Sequence, residues 1–347
     1  MELLKELCET SGIPGREERI RAIVRRELEP IVDDISVDAL GNMICTKKLP
    51  SAGKLMIAAH MDEIGFVVNH IDNDKGWLRV VPLGGHDPRN MIAQHVTVCA
   101  DDGDLLGVLY PGIKPPHIQT EGDRDKKLEV NSFIIDLGMS AAQVKKRVKI
   151  GTPVTIKRDF LEFGDCVTCK AIDNRVAIYT MIKAMQHATT FGFETYAVAT
   201  AQEEVGLRGA GTSAYKIAPD VGIALDITIA ADIPDVSDHE KVTSLGSGIA
   251  IKIFDSSAIQ HPKLVQFLQD LADKREIQWQ PEILPRGGTD SAALQKARSG
   301  MPVATISIPA RYVHSSVETI NKCDLQGGID LLTGFIEEGH TANLKLE

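Results

Sequence analysis

The sequence predicts an α/β protein whose sheet is interrupted by a smaller β-rich unit, and three observations carry that prediction. Short apolar runs such as KLMIAAH (54–60) lack the alternation of a half-exposed strand and read as strands buried on both faces. Segments of helical period separate such runs. Between Gly65 and about Gly151 the texture changes, and brief β-like pieces alternate with turn clusters.

In chain order, PGREERIRAIVRRELEPI (14–31) places Ile20, Ile23, Val24 and Leu28 at helical spacing behind a Pro-Gly turn, which predicts an amphipathic helix. DISVDALGNMICTKK (34–48) turns at a glycine between two strand-like pieces, and KLMIAAH follows as a strand ending at His60. The pieces FVVNHI, WLRVVPL, HVTVCA and LLGVLY, separated by DNDKG, LGGHDPRN and DDGD, read as antiparallel hairpins. We therefore expect an inserted β-rich domain at 65–151, within an α/β domain made of 1–64 and 152–347. IKPPHIQTEGDRDKKLEV (113–130) is polar and aperiodic, and is expected to be a long loop of the kind that is usually functional or disordered. NRVAIYTMIKAMQH (174–187) carries Val176, Ile178, Met181, Ile182 and Met185 and predicts a largely buried helix.

Composition limits the function. The 347 residues, 43% apolar, can bury a sizeable core. A balance of 38 basic against 48 acidic side chains, net charge −10, argues against nucleic acid or an anionic membrane as partner. MELLKELCETSGIPG lacks the basic and apolar regions of a secretion signal, and no stretch approaches the roughly 18 apolar residues of a membrane span, so a cytoplasmic location is expected. The six cysteines are expected to be reduced thiols, and Cys166 and Cys169, lacking a second such pair, packed structural ones.

The chemistry is expected at the ends of the apolar runs. His60, the pair Glu203 and Glu204, Asp226 and His314 each follow such a run, and Asp173 precedes the buried helix. If the runs are neighbouring parallel strands, residues past their carboxyl ends converge on one crevice, where open α/β sheets bind ligands. This set suits two divalent cations about 3.5–4 Å apart, an arrangement that polarises a carbonyl and activates water for hydrolysis. Asp62, two residues after His60 on an extended segment, is expected to accept the proton of the imidazole nitrogen that faces away from a cation. Consecutive Glu203 and Glu204 cannot point the same way, so one is expected to bind a cation and the other to shuttle protons. Taken singly, His60 would read as a core histidine, Glu203 and Glu204 as surface, and Asp173 as a helix cap. The remaining histidines, His86 among them, read as ordinary polar or packing residues.

The stretches AAHMDEIG (58–65), AIDNRVA (171–177), AQEEVGLRGA (201–210), ALDITIAADIP (224–234), GGTDSAA (287–293) and PARYVHS (309–315) resemble the tetrahedral aminopeptidases, metallopeptidases grouped with glutamyl and deblocking aminopeptidases. The resemblance implies a three-layer α/β/α catalytic domain with a mixed sheet, interrupted by a small barrel-like domain that mediates dimerisation. It implies one zinc or cobalt ion on His60 and Asp226, a second on Glu204 and His314, and Asp173 bridging both. Glu203 would be the general base acting on a metal-bridging water. Peptides with a free N-terminus would be the substrates, and six dimers would form a hollow tetrahedral dodecamer, with the loop near Pro115, Pro116 and His117 bordering a neighbouring site. DITIAADIP looks most like leucine-type members, which implies a broad neutral and hydrophobic preference. Glutamyl or lysyl preference, and a dipeptidase or deacylase activity, are the alternatives. Some relatives carry the label endoglucanase, but glycoside hydrolysis ordinarily uses two carboxylates and no histidine-held metals.

Overall fold

The computed structural model describes residues 1–124 and 127–347. Positions 125 and 126 of the expected 113–130 loop lie outside the described residues. The chain opens with helices α1 (Glu2–Glu9) and α2 (Glu18–Leu28), then strands β1 (Asp34–Val37), β2 (Met43–Lys47) and β3 (Lys54–His60). Next come β4 (Gly65–Ile71), β5 (Leu78–Leu83), β6 (Gln94–Val98), β7 (Leu105–Pro111), the short helix α3 (Glu121–Arg124), β8 (Phe133–Asp136), α4 (Ala141–Arg147) and β9 (Pro153–Ile156). The remainder is β10 (Leu161–Phe163), β11 (Cys166–Cys169), α5 (Ile172–His187), β12 (Glu194–Thr200), α6 (Arg208–Ile217), β13 (Val221–Ile229), β14 (Ile249–Asp255), α7 (Pro262–Lys274), β15 (Trp279–Leu284), α8 (Asp290–Gln295), β16 (Val303–Arg311), β17 (Glu318–Asn321) and α9 (Lys322–Glu338).

These strands form two separate sheets. The larger runs β1-β2-β12-β3-β13-β16-β17-β11-β10, with β14 and β15 branching from β16. Its centre, β12-β3-β13-β16, is parallel, and the flanking pairs are antiparallel. Both faces of that centre are covered, and β3 shows it residue by residue. Leu55, Ile57 and Ala59 join the core beneath α1, α2, α5, α7 and α9, whereas Met56 and Ala58 join the core beneath α6 and α8. Successive side chains on a strand alternate faces, so a strand that is apolar throughout must be sandwiched. The result is three layers, helices on either side of a mixed sheet.

The second sheet closes into an antiparallel barrel, β4-β5-β8-β7-β6-β9. Phe66, Val68, Leu78, Val96, Val98, Leu109, Phe133, Ile135 and Val154 fill it. Within 113–130, where an aperiodic loop is expected, the structure has a 3₁₀ turn at Pro116–Ile118 and α3, with Lys114 paired to Asp123. All six cysteines are free thiols. Cys166 and Cys169, three residues apart on β11, face opposite sides of that strand.

A buried cation ties the N-terminus to the edge of the sheet. Arg175, fully buried, donates hydrogen bonds to the carbonyls of Leu7, Thr10, Gly12 and Met61 at 2.6–3.1 Å, and pairs with Glu63 at 3.3 Å. Lys170 holds both oxygens of Glu63 at 2.8 and 2.7 Å. Removing one member of such a cluster leaves the others buried and unpaired. Arg175→Leu is therefore expected to lower the free energy of unfolding by about 3–5 kcal/mol, measured as a shift of the urea midpoint; a change within about 0.5 kcal/mol, the range of ordinary surface substitutions, would show that the cluster does not stabilise the fold.

Candidate metal centre

The register of the parallel strands puts the site residues in a row. His60, the last residue of β3, pairs with Thr200 at the end of β12, and Ala58 pairs with Ala224 of β13. Pairing between β3 and β13 stops there, so Asp226, two residues on, stands level with His60 where the two strands part. Asp226 thus lies inside β13, which runs on to Ile229, and not past its end as the sequence suggested. Glu203 and Glu204 follow β12, and His314 follows β16. Asp173 sits at the entry of α5, where the backbone departs from helical geometry.

These side chains form two overlapping groups. His60, Asp173 and Asp226 make one, and Asp173, Glu204 and His314 the other, with the donor atoms of each within 4.8 Å of one another. Asp173 belongs to both: its Oδ1 lies 3.2 Å from His60 Nε2 and its Oδ2 lies 3.4 Å from His314 Nε2. Glu204 Oε1 is 3.5 Å from His314 Nε2, and Asp226 Oδ1 is 3.9 Å from His60 Nε2. Glu203 turns the other way from Glu204, to 3.8 Å from His60 Nε2. A cleft of about 400 Å³ opens over the group, lined also by Thr228, Ile229, Leu284, Arg286 and Val313.

The electrostatics of the group favour cations. Burial pushes the carboxyls of Glu203 and Asp226 well above their ordinary range and raises that of Glu204, with neighbouring carboxylates adding to each. Burial acts the same way on Asp173, but His314 and His60 outweigh it and hold that carboxyl well below its usual value. For His60, burial opposes the charge, yet Glu203, Asp173 and Asp62 drive the imidazole well above its normal range. His314 is likewise raised, to about 11, because Asp173 and Glu204 overcome its burial. Asp173 Oδ1 is buried and accepts no hydrogen bond. Mixed imidazole and carboxylate donors with an unsatisfied buried oxygen fit divalent cations such as zinc or cobalt.

Surrounding residues hold these donors in place. His60 Nδ1 lies 3.0 Å from the main-chain carbonyl of Asp62, which can only accept, so Nδ1 carries a proton and Nε2 faces the cluster. The Asp62 carboxylate is farther, 3.6 Å from Nδ1. Its two oxygens instead accept the amides of Glu203 and Glu204, both at 3.1 Å. The expected proton acceptor behind His60 is therefore the backbone of Asp62, and the Asp62 side chain shapes the two-glutamate turn.

Two residues escaped the sequence reading. Glu318 of β17, fully enclosed, accepts the Asp173 amide at 2.9 Å with Oε2 and the His314 amide at 2.8 Å with Oε1. His314 has φ of +58°, a conformation that costs a non-glycine residue about 1–2 kcal/mol, and the bond to Glu318 offsets that cost. The sequence signal for Glu318 was weak, an acid four residues beyond a candidate ligand. His86, read as ordinary, comes from the barrel to line the cavity that also touches Asp173, Glu204 and His314.

The sequence profile of the M42 glutamyl aminopeptidases matches residues 41–331. A lysyl aminopeptidase of Pyrococcus furiosus is 38% identical over 343 residues, which cover 97% of this chain and 96% of that one. Among solved structures, the aminopeptidase APDkam598 from the archaeon Desulfurococcus kamchatkensis superposes with a TM-score of 0.92 at 40% identity, covering 97% of this chain and 94% of that one. The Pyrococcus horikoshii TET1 peptidase, which can assemble into a tetrahedron or a large octahedral shell, superposes with a TM-score of 0.86 at 32% identity, covering 97% and 99%.

Loss of the Glu318 tether should register in metal binding. Glu318→Gln keeps the size but turns an NH₂ group toward one of the two amides, and is expected to weaken binding about 10–100-fold, read by competition with a chromogenic chelator. Unchanged affinity would show that the tether is dispensable.

Proposed function

The chain belongs to the M42 glutamyl aminopeptidase family and is an aminopeptidase, and from that premise we propose that it removes N-terminal residues from peptides in the cleft above Asp173. The observation that carries the proposal is the pair of overlapping donor groups that share Asp173. His60 and Asp226 would hold one divalent cation, Glu204 and His314 the second, with Asp173 between them. Zinc or cobalt bound there would polarise the scissile carbonyl and make water acidic enough to attack near neutral pH.

The protein's own groups then manage the proton. Glu203, turned away from Glu204 and into the cleft, takes a proton from the attacking water and delivers it to the leaving amine. Its largely buried position suits it to cycle between charged and neutral forms, since burial already favours the neutral one. Asp62, by binding the Glu203 and Glu204 amides, fixes the opposite directions of the two side chains.

Specificity follows from the lining. Ile227, Ile229, Leu284 and Val313 give the cleft an apolar wall, which supports a preference for neutral and hydrophobic first residues of the leucine type. Arg286 lines the same cleft and supports acidic side chains as the second reading, and the lysyl aminopeptidase relative keeps basic ones in view.

Self-association fits the barrel, which runs from β4 to the end of β9 at Ile156 and so extends past the boundary expected at 151. Along β7, Leu106, Val108 and Tyr110 point outward and are 45–59% exposed, a contiguous apolar stripe on an otherwise closed unit. We assign to it the contact between two subunits, and to pairs of subunits a tetrahedral dodecamer, since the TET1 neighbour can assemble into a tetrahedron. Such a shell in the cytoplasm would admit peptides and exclude folded proteins. No helix among the described residues is long and apolar enough to cross a membrane.

Three measurements test this. Leucyl, lysyl, glutamyl and N-blocked chromogenic substrates, assayed with and without chelator, should show chelator-sensitive release from free N-termini only; turnover of blocked peptides or of a glucan would defeat the reading. Glu203→Gln should keep about two metal ions per chain while kcat falls about 10²–10⁴-fold, whereas Glu204→Gln should lose metal. Val108→Lys combined with Tyr110→Lys should reduce the mass seen by light scattering, and an unchanged mass would place the subunit contact elsewhere.

A further inference from the structure

We propose that the loop 83–91 of the barrel is a positioning element for one half of the metal centre, setting the affinity of the Glu204–His314 pair for its cation while touching neither cation nor substrate. The proposal rests on the two-cation reading above. The halves are built differently. His60 and Asp226 stand on adjacent strands and are 2% and 5% exposed, so the sheet itself holds them. Glu204 and His314 stand on loops beyond their strands, and the His314 side chain is 36% exposed. Their backing comes from the barrel.

A β carbon on Gly85 would lie 3.1 Å from His314 Nδ1 and 3.4 Å from Cε1, and one on Gly84 would lie 3.3 Å from Glu204 Oε2. The loop backbone therefore runs close enough to both donors that an added side chain would crowd them. A β carbon on Gly85 would meet the Nδ1 edge of the His314 ring, while Nε2 faces Asp173 and Glu204, so the loop lies behind the donor nitrogen. Asn90 adds a hydrogen bond from Nδ2 to the His314 carbonyl at 3.4 Å.

The loop is itself anchored to the barrel. The His86 ring stacks on Phe66 with centroids 4.3 Å apart, and its Nε2 donates to the Gly65 carbonyl at 3.0 Å. Asp87 accepts the Arg89 amide at 2.9 Å and starts the turn Pro88–Met91, whose Met91 enters the barrel core. A ligand backed by a fixed surface loses less orientational freedom on binding, which is how supporting contacts tune metal affinity.

Gly85→Ala isolates this contact, because Gly85 does not adopt the positive φ of +83° found at Gly84. Metal-stripped protein would be titrated with zinc alone by calorimetry, beside wild type and Gly122→Ala, where an added β carbon meets nothing within 4 Å. Wild type and Gly122→Ala should bind two ions per chain. In Gly85→Ala one of the two affinities should fall at least about tenfold while the other holds, and kcat should recover as zinc is raised. If Gly85→Ala fails to fold, Asn90→Ala replaces it, with a smaller loss at the same single step. Two unchanged affinities overturn the proposal, and so does an equal fall in both, which would mean general loosening. Failure of wild type to bind two ions would defeat the two-cation reading itself and, with it, this proposal.

Discussion

Four carboxylates, those of Asp173, Glu203, Glu204 and Asp226, crowd two imidazoles at the carboxyl edge of the sheet and are largely withdrawn from water. Keeping isolated charges in such a place costs several kcal/mol each, and like charges this close raise the cost further. Positive charge on His60 and His314, whose basicity the neighbouring carboxylates raise, would offset part of it. Divalent cations would offset far more. Around the cluster, the Glu318 and Asp62 carboxylates accept backbone amides of the ligand-bearing segments, and Arg175 and Lys170 neutralise Glu63 close by.

The sheet solves the positioning problem by register. Parallel pairing places the ends of β12, β3 and β13 side by side, and the parting of β3 from β13 after Ala224 opens the crevice at the level where His60 and Asp226 face each other. A one-residue slip on either strand would turn the donor to the opposite face. Both faces of these strands are apolar, so the register is held by the different partners of the two faces, α1, α2, α5, α7 and α9 on one side and α6 and α8 on the other.

We assign the barrel a part in both levels of organisation. Its outward β7 stripe is available to another subunit, and its 83–91 loop reaches back against Glu204 and His314. The subunit contact and the metal-site backing proposed above would thereby meet in one barrel, which lies between His60 and Asp173 in the chain.

Much of this could be read from local pattern alone. Helical period marked α2 and α5, unbroken apolar runs marked the parallel strands, and hairpin spacing marked the barrel, because each of these is a local pattern that solvent exclusion imposes on neighbouring residues. The sequence also named the seven residues that the fold gathers at the sheet edge, since acidic residues and histidines at the ends of apolar runs are conspicuous. Other features needed the tertiary structure: that Asp226 lies within its strand, that Asp62 serves the glutamate amides, that Glu318 tethers Asp173 and that a glycine loop of the barrel backs His314. Asp62 and Glu203 are 141 residues apart in the chain, and Asp173 and Glu318 are 145 apart. Contacts of that separation leave no periodic trace in the sequence, because they are set by which strands become neighbours and at what register.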